Sequence, residues 1–374
     1  MSTLPAPRGR SSLRVVQVLG RGSGGSAAHV RSLAAGLVAR GVRVTVCAAA
    51  DIEAQYDFTG TGARFLPLAP RPDRTTLTVL REACDQADVV HAHGLNAGLR
   101  AELALGGRHR RPLVVTWHTR GAVEGARVKV DRLLERRLVR GASVTLATCA
   151  DLVDLARQRG ARDARLAPLA VPGPRAPEGD GEAGRHTRGK LRAELGTVGR
   201  PLLLVVARLT AHQGHRVVLD AARSWRHETP PPLVVFAGEG ELRGELGRRV
   251  AEEELPVRLL GRRDDVSELL TAADLVVLPS RWEARPLIAH EALRAGVPLV
   301  ATDVGGTREL VGEGAALVPY GDATALARTV THLLRHQEHR DALVTAGRRQ
   351  AASWPTEDET VAQTLSVYDE LTRS

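Results

Sequence analysis

Short apolar runs alternate with helical patterns along most of the chain. In the first half the runs cover residues 13–19, 42–48, 89–91, 113–116 and 144–148, and each predicts a buried strand. Segments with helical periodicity, such as 29–40 and 129–140, lie between them. Strands that alternate with helices form parallel sheets with right-handed crossovers.

A segment rich in proline and glycine, residues 172–189, interrupts this alternation and predicts a linker. Beyond it the strand pattern returns at 202–207, 233–237, 257–260, 275–278, 299–301 and 316–318. Helical patterns lie near 213–226, 240–252, 265–273, 287–295, 322–335 and 338–350. We therefore predict an α/β protein with two doubly wound Rossmann-like domains that face each other across a cleft.

The predicted domain boundaries follow these breaks. Residues 1–175 form the first domain, with a disordered tail at 1–12, and 176–189 form a flexible linker. Residues 190–355 form the second domain, and 356–374 form a helix that packs back on the first. Ligands of doubly wound sheets bind beyond the carboxyl ends of the strands, so we expect the site in the cleft.

Charge is unevenly distributed over the 374 residues, whose net charge is +9. The first 175 residues carry 27 arginines and lysines against 14 acidic residues, while the remainder is slightly acidic. This asymmetry favours an anionic partner for the first domain, such as a phosphorylated small molecule or a membrane surface. Nucleic acid is not expected, because no recognition motif is present and aromatic residues make up only 3%.

Cysteine usage and hydropathy indicate the cytoplasm. Cys47, Cys84 and Cys149 are far apart and favour buried thiols, and no apolar run is long enough to span a membrane. The segment from Lys129 to Arg140 combines an apolar face with basic residues. It is interpreted either as a helix packed on the core or as a peripheral contact with the inner face of the membrane.

A glycine-rich loop follows the first predicted strand and precedes a helix. Such a loop, with the free N–H groups of the helix start, suits a phosphate. Gly20, Gly22 and Gly25 also fit the G-x-G-x-x-G pattern of dinucleotide sites. That alternative expects an acidic residue about 20 positions on, and Asp51 is too far along the chain to fit well.

Three histidines lie near predicted strand ends. His91 and His93 are interpreted as hydrogen-bonded strand-end residues, since no carboxylate with ligand spacing accompanies them to make a metal site. His118 follows the next strand, where it could bind a sugar hydroxyl, stabilise developing charge, or serve only the structure.

A cation and two carboxylates follow predicted strands of the second domain. Arg208 comes after the first of them and suits a diphosphate. Glu283 lies in a later loop, and Glu291 lies about one turn into the next helix. The pair could hold sugar hydroxyls. Alone it would be interpreted as solvated charge, but Gly305 and Gly306 mark a further loop at the same edge.

Taken together, these segments resemble the family 4 glycosyltransferases of the GT-B fold, and the resemblance spans nearly the whole chain. The segments that carry it are, in the family's order, Gly24-Gly25, Trp117-His118-Thr119, Arg208-Leu209 with Gly214, Phe236 to Gly240, and Glu283 to Glu291 in an E-x7-E signature. Each is weak alone, and the ordered set is specific.

The resemblance implies a retaining hexosyltransferase that needs no metal or cofactor and takes a nucleotide-diphosphate sugar as co-substrate. The donor would bind the second domain, and a small-molecule or lipid-headgroup acceptor would dock on the first. The implied catalytic residues are His118, Arg208 and Glu283. The implied donor-binding residues are Gly24, Gly25, Arg208, Gln213, Gly238, Glu283, Arg285, Leu287 and Glu291, with Arg208 on the diphosphate, Glu283 on the sugar and Glu291 on the ribose.

Two positions depart from the family pattern. Gln213 occupies the place of a lysine, so a charge-assisted hydrogen bond of about 1.5–3 kcal/mol is lost. Arg285-Pro286 replaces Phe-Gly, which removes a backbone N–H. Arg216 or Arg285 could supply the missing cation. The alternative function is a non-catalytic nucleotide-sugar-binding protein on the same fold.

Overall fold

A computed structural model describes residues 13–20, 24–69, 73–106, 111–121, 128–170 and 182–373. The chain divides into two compact units. The first comprises Met1–Pro172 and Pro355–Ser374, and the second comprises Gly173–Trp354. Each unit is built on a wholly parallel sheet with helices around it, which confirms the predicted fold class. The predicted tail at 1–12 lies outside the described residues.

The first unit begins with the expected alternation. Its described strands are β1 (Arg14–Leu19), β2 (Arg43–Ala48), β3 (Arg64–Pro67), β4 (Val89–His93), β5 (Leu113–Trp117), β6 (Val144–Ala147) and β7 (Ala164–Leu166). Its described helices are α1 (Gly24–Ala39), α2 (Ala50–Tyr56), α3 (Arg74–Asp85), α4 (Leu95–Leu105), α5 (Val128–Gly141), α6 (Ala150–Gln158) and, at the end of the chain, α15 (Glu357–Arg373), with a short 3-10 turn at Thr59–Thr61.

The sheet order of this unit is β3-β2-β1-β4-β5-β6-β7. In the register of its central strands, Gln17 pairs with His91, and His93 pairs with both Leu19 and Thr116. Side chains at every second position of a strand share a face. The carboxyl ends of β1, β4 and β5 therefore gather several polar side chains at one edge.

Two strands of this sheet, β3 and β7, have no counterpart in the predicted elements. Both lie at edges of the sheet. Neither contains a fully buried residue, and β3 includes Arg64 and Pro67. An edge strand with little burial needs no continuous apolar run, so the hydropathy pattern did not reveal it.

The second unit repeats the architecture with one strand fewer among the described residues. The strands are β8 (Leu202–Val206), β9 (Leu233–Ala237), β10 (Val257–Gly261), β11 (Leu275–Leu278), β12 (Leu299–Thr302) and β13 (Ala315–Val318). The helices are α7 (Glu182–Glu194), α8 (His215–Trp225), α9 (Arg243–Glu252), α10 (Val266–Ala272), α11 (Leu287–Ala295), α12 (Thr307–Val311), α13 (Ala323–Arg335) and α14 (Gln337–Ala352), with a 3-10 turn at Ala211–Gln213.

The strand order here is β10-β9-β8-β11-β12-β13, so β8 and β11 are neighbours at the centre. Strand β8 is buried on both faces: Leu202 and Leu204 point into one apolar cluster, and Leu203 and Val205 point into the other. Strand order reverses between β8 and β11, which is the switch point where doubly wound sheets bind ligands.

The predicted flexible linker at 176–189 is wrong in its second part, because 182–189 belong to helix α7. Arg188 and Arg192 both bond to the carboxylate of Asp274, at 2.8 and 2.9 Å. Leu191 packs in the buried core beside α10. These contacts stabilise a helix whose glycine content suggested a loop. The preceding residues, 171–181, lie outside the described part of the chain.

Helix α15 is part of the first unit. Val361 and Tyr368 are buried in the same apolar cluster as residues of α1 and β1. The Thr360 hydroxyl accepts a hydrogen bond from the Ala170 N–H at 3.1 Å, and Arg165 pairs with Glu370 at 2.7 Å.

All three cysteines are buried and free of disulfides. No helix in the described ranges combines the length and the apolar character needed to cross a bilayer.

Candidate active site

Arg208 follows β8 at the carboxyl edge of the second unit's sheet, and its side chain is exposed. The neighbouring backbone is tied to the end of β9, because the Ala207 N–H donates to Ala237 O at 3.2 Å and the Leu209 N–H donates to Glu239 O at 2.9 Å. Within the described ranges Arg208 has no ion-pair partner. Its charge is therefore available to an anion at this edge.

Gln213 lies in the turn before α8, held against the loop that follows β11. Gly214 adopts a φ of +72°, and a Cβ there would lie 2.0 Å from the Pro279 carbonyl oxygen, so this approach requires glycine. On the other side of Gln213, the His212 ring contacts the Trp282 carbonyl oxygen at 2.8 Å. The turn thus holds Gln213 beside Glu283, the residue that directly follows Trp282 in that loop.

Glu283 is half-buried, and its hydrogen-bond partners are neutral. The Gln213 amide donates to Glu283 Oε1 at 3.3 Å, and the Ser280 hydroxyl donates to Gln213 Oε1 at 3.4 Å. Burial raises the pKa of Glu283, an effect that hydrogen bonds from Ser280 and Gln213 only partly offset. Gln213, which stands where the pattern that the sequence resembles has a lysine, therefore gives this carboxylate a neutral partner instead of a cation.

The backbone of Glu283 is fixed by the loop after β12. Gly305 has a φ of +52°, and a Cβ there would lie 2.1 Å from the Glu283 carbonyl oxygen. The Gly306 N–H donates to the same oxygen at 2.8 Å. The Thr302 hydroxyl donates to Ser280 O at 2.6 Å. The carboxylate is therefore held by a rigid frame of loops.

Helix α11 carries the other residues of the E-x7-E segment. Pro286 is its N-cap, and Leu287, its first residue, is partly exposed. Glu291 lies in the second turn, half-buried, and burial raises the pKa of its carboxyl. Arg285 is half-buried just before the helix, and its charge adds to the effect of burial in lowering the pKa of His290 to about 3.

Two further residues of the predicted set have clear positions. Gly238 follows β9, and its N–H donates to Gly261 O at 2.8 Å. Arg216 does not replace the missing lysine. Its guanidinium makes two hydrogen bonds of 2.6 Å to Glu245, which fixes it between α8 and α9. The prediction that Arg216 could serve this role was made from helical spacing and took no account of α9.

Replacement of Gln213 by lysine tests whether the carboxylate of Glu283 lacks a cationic partner. We expect Gln213→Lys to lower the pKa of Glu283, because an ammonium beside it favours the ionised form. An acid with a raised pKa stabilises the fold at low pH and loses that contribution as pH rises. The variant should therefore gain about 1–3 kcal/mol over the natural protein at pH 7 and less near pH 4. Thermal unfolding against pH measures this, with Gln213→Met as the uncharged control. Equal stabilisation by both substitutions would contradict the explanation.

In the first unit, a buried hydrogen-bond network leads to His118. The Gln17 amide donates to the Tyr368 hydroxyl at 2.9 Å, and that hydroxyl lies 2.6 Å from His91 Nδ1. Gln17 Oε1 lies 2.6 Å from His93 Nε2, and His93 Nδ1 lies 3.3 Å from His118 Nε2. The network joins α15, β1 and β4 to the residue that follows β5.

The directions of these bonds assign the tautomers. Because Tyr368 accepts from Gln17, its own proton is donated to His91, whose Nε2–H then donates to the Thr116 hydroxyl at 2.7 Å. His93 Nε2 donates to Gln17 Oε1, so its Nδ1 accepts from Nε2–H of His118. The remaining nitrogen of His118, Nδ1, is left as a hydrogen-bond acceptor.

Burial keeps these imidazoles neutral. It lowers the pKa of His118 to about 3 and of neighbouring His29 to about 4. The pKa values of His91 and His93 are also well below the ordinary value, first because of burial. The hydrogen bonds of His91 and His93 agree with their interpretation as strand-end residues. Gln17 and Tyr368 were missed, although a glutamine inside an apolar strand is a detectable signal.

Gly24 and Gly25 are the first two residues of α1. Backbone N–H groups in the first turn of a helix lack intrahelical partners and favour anions. Gly20 is described, whereas Gly22, the middle glycine of the dinucleotide pattern, lies outside the described residues.

Two family models match the chain. The model described as "Glycosyl transferase 4-like domain" matches residues 24–172, and "Glycosyl transferases group 1" matches residues 187–350. The D-inositol 3-phosphate glycosyltransferase of Xylanimonas cellulosilytica is 30% identical over 402 aligned positions, covering 94% of this chain and 93% of that protein. The chain belongs to the family 4 glycosyltransferases. The family assignment confirms the resemblance found in the sequence motifs.

Another relative matches over a shorter region. The spore coat protein SA of Bacillus subtilis is 28% identical, and the match covers 50% of this chain and 53% of that protein. The chain thus spans about half the length of that relative. Among solved structures, Anabaena HepE in complex with UDP and glucose has a TM-score of 0.79 at 20% identity, covering 95% of this chain and all of that one. This likeness agrees with the GT-B fold.

Proposed function

We propose that this glycosyltransferase transfers a hexose with retention of configuration from a nucleotide-diphosphate sugar to a phosphorylated acceptor, without a metal ion. The observation that carries the proposal is the frame around Glu283. Loops from β8, β11 and β12 converge on this half-buried carboxylate, and the exposed cation Arg208 lies at the same sheet edge. A site with one cation and hydroxyl-binding carboxylates matches a sugar diphosphate.

Each side chain has a distinct part in binding the donor. Arg208 would neutralise the diphosphate, and a guanidinium can do so with two parallel hydrogen bonds. Glu283 would accept hydrogen bonds from hydroxyls of the sugar, and Glu291 from hydroxyls of the ribose. The N–H groups at the start of α11, where Leu287 lies, add partial positive charge. Gln213 contributes only a neutral hydrogen bond.

The transfer itself would be assisted by the donor. The acceptor hydroxyl attacks the anomeric carbon on the face from which the diphosphate leaves, and its proton passes to the leaving phosphate oxygen. The bond between the anomeric carbon and that oxygen breaks as the new glycosidic bond forms. His118 is neutral, and its Nδ1 is a hydrogen-bond acceptor. It would therefore orient a sugar hydroxyl rather than supply a positive charge.

The acceptor class is inferred from charge. The first unit contains most of the basic first half of the sequence. Arg120, two residues after His118, is exposed and has no ion-pair partner among the described residues. A phosphate on the acceptor would complement this edge. The relative from Xylanimonas cellulosilytica is named for a phosphorylated acceptor, D-inositol 3-phosphate.

Replacement of Arg208 tests the donor site directly. We expect Arg208→Ala to weaken nucleoside-diphosphate binding by about 10- to 100-fold, because a charged hydrogen bond contributes about 1.5–3 kcal/mol. Titration calorimetry with UDP, GDP and ADP in EDTA measures the change. Arg216→Ala is the matched control, since Arg216 is already paired with Glu245. Equal losses in both variants would contradict the assignment.

A second candidate function follows from Gln213. A donor site without the family's lysine would still bind a nucleotide sugar but could fail to stabilise the leaving diphosphate. Turnover separates the two functions. Release of nucleoside diphosphate that depends on a sugar phosphate or another acceptor supports the transferase. Donor binding without release of nucleoside diphosphate, with release restored in Gln213→Lys, supports the binding protein.

A membrane contact is proposed for α5. Its buried residues include Leu138 and Val139. The helix is therefore packed on the unit, in agreement with the interpretation of this segment as a helix that packs on the core. However, Val130 and Leu133 are 56% and 67% exposed, and Lys129, Arg132 and Arg136 are exposed around them. Exposed apolar residues among basic ones favour an anionic bilayer surface.

Vesicle binding tests this contact. We expect sedimentation with phosphatidylglycerol vesicles but not with phosphatidylcholine vesicles, and a several-fold loss in Leu133→Ser, because both charge and apolar burial contribute. Val198→Ser removes a side chain that is 75% exposed in the second unit and serves as the control. Binding that is unaffected by salt and by Leu133→Ser would overturn the proposal.

A further inference from the structure

Three histidines and a glutamate are gathered where α13 meets α14, in the second unit. His332 lies in the last turn of α13, His336 lies between the helices, and Glu338 and His339 lie in the first turn of α14. One ligand atom each of His336, Glu338 and His339 lies within 4.8 Å of the others. His332 Nε2 is 2.7 Å from His339 Nδ1. These four residues are called the histidine cluster below.

We infer that the histidine cluster binds a divalent transition-metal cation, with Zn²⁺ as the best match. Imidazole nitrogens and a carboxylate are the donors that zinc uses with tetrahedral geometry. The same donors suit Ni²⁺ and Cu²⁺, whereas Mg²⁺ and Ca²⁺ prefer sites made of oxygen. The inference is independent of the proposed function, because none of the four residues belongs to the predicted donor site.

The donor spacing is close to that of a bound ion. Bonds of about 2.0–2.1 Å in a tetrahedron place donor atoms about 3.4 Å apart. His336 Nδ1 lies 3.0 Å from Glu338 Oε1, slightly nearer than this, and the bond between His332 and His339 is shorter still. All four side chains can adjust by rotation, since they are at or near the surface.

The backbone places the cluster at a joint. His336 ends α13 and precedes α14, with an extended conformation of φ −116° and ψ 96°. Its N–H donates to His332 O at 3.0 Å, so the two residues are already linked by the main chain. The Arg340 guanidinium of α14 donates to Leu334 O at 3.0 Å. A metal held by His332 and His339 would connect the last turn of α13 to the first turn of α14.

The role that follows is structural. A ligand that binds the folded state and not the unfolded one stabilises the fold by mass action. An ion in the histidine cluster would restrict the joint between α13 and α14. Helix α14 packs on α11, the helix that carries Glu291, whereas the histidine cluster lies at the end of α13 and the start of α14. We therefore expect Zn²⁺ to raise the thermal midpoint while leaving donor affinity unchanged.

The test uses the full chain without an affinity tag, treated with EDTA and then dialysed free of chelator. Calorimetric titration with ZnCl₂ is expected to show one equivalent bound. His332→Ala and His339→Ala should each weaken binding at least tenfold. His227→Ala, which removes an exposed histidine outside the cluster, should leave it unchanged. MgCl₂ and CaCl₂ should not compete.

Thermal unfolding with and without Zn²⁺ shows whether a loss of zinc binding comes from misfolding of the variant. Without metal, the double variant His332→Ala/His339→Ala should unfold at the same temperature as the natural protein, because both side chains are on the surface. With Zn²⁺, only the natural protein should gain in thermal midpoint. Equal zinc affinity in the natural protein and the double variant would overturn the inference, as would an equal loss in His227→Ala.

Discussion

Glu283→Gln is expected to reduce turnover by about 10²- to 10³-fold, the range found when an electrostatic group at a reacting centre is removed. At the same time the free protein should become more stable at neutral pH. The carboxylate is half-buried, burial raises its pKa, and Gln213 and Ser280 provide only neutral hydrogen bonds. A glutamine keeps the shape of the side chain and removes the cost of burying its charge.

These opposite effects distinguish a functional carboxylate from a structural one. A structural role predicts that the variant loses stability and activity together. Thermal unfolding and initial rates on the same preparation decide between them, and about 2–4 °C in midpoint is expected for each kcal/mol of stability gained. Glu241→Gln, an exposed acid of the same unit, is the control and should change neither quantity. The stability gain should shrink as pH falls below the raised pKa of Glu283 and vanish below the ordinary pKa of a glutamate, where the natural side chain is neutral in the folded and the unfolded protein.

His118→Ala is expected to lower kcat/KM by about 100-fold, and Tyr368→Phe by about tenfold, because the tyrosine acts only through the network. Tyr368 reaches His118 through Gln17 and His93. Loss of its hydroxyl leaves the Gln17 amide and His91 Nδ1 without this partner in a buried region. The network can then rearrange, so that His118 Nδ1 is no longer held as the accepting nitrogen.

Nuclear magnetic resonance of the ring nitrogens separates this positioning role from simple destabilisation. In the natural protein His118 should show the tautomer protonated at Nε2. Tyr368→Phe should produce a mixture of tautomers, and kcat should fall more than the donor affinity. Tyr56→Phe is the matched control, since Tyr56 is a half-buried tyrosine of the same unit outside the network. A tenfold loss of kcat in Tyr368→Phe with an unchanged His118 tautomer would contradict the explanation.

The central strands could be predicted from the sequence because they are buried on both faces. Strand β8 consists of valine and leucine alone, β1 has four such residues among its six, and the positions of both agree with the apolar runs. Edge strands such as β3 have no such run. Helix α7 was mistaken for part of a linker, because Arg188 is stabilised by Asp274, a partner far along the chain.

The candidate site was predictable where local rules act. Glycines and polar residues after strands indicated the loops that hold Arg208 and Glu283. Contacts between distant segments were not predictable in this way. Gln17 and Tyr368 are 351 positions apart yet bond at 2.9 Å, and Arg216, one of two residues considered as a substitute for the missing lysine, is paired with Glu245 of α9. Such pairings depend on the packing of helices onto the sheet, which spacing along one helix does not contain.

The measurement that tests the central claim most directly is donor binding by the full chain in EDTA. Thermal unfolding is recorded with UDP-, GDP- and ADP-sugars and with NAD and NADP, each at millimolar concentration. We predict stabilisation by one class of nucleotide sugar, about 2.7 kcal/mol at 100 times the dissociation constant, that is lost in Arg208→Ala. Stabilisation by a dinucleotide alone, or by no nucleotide sugar, would contradict the proposal that this edge of the sheet binds a sugar donor.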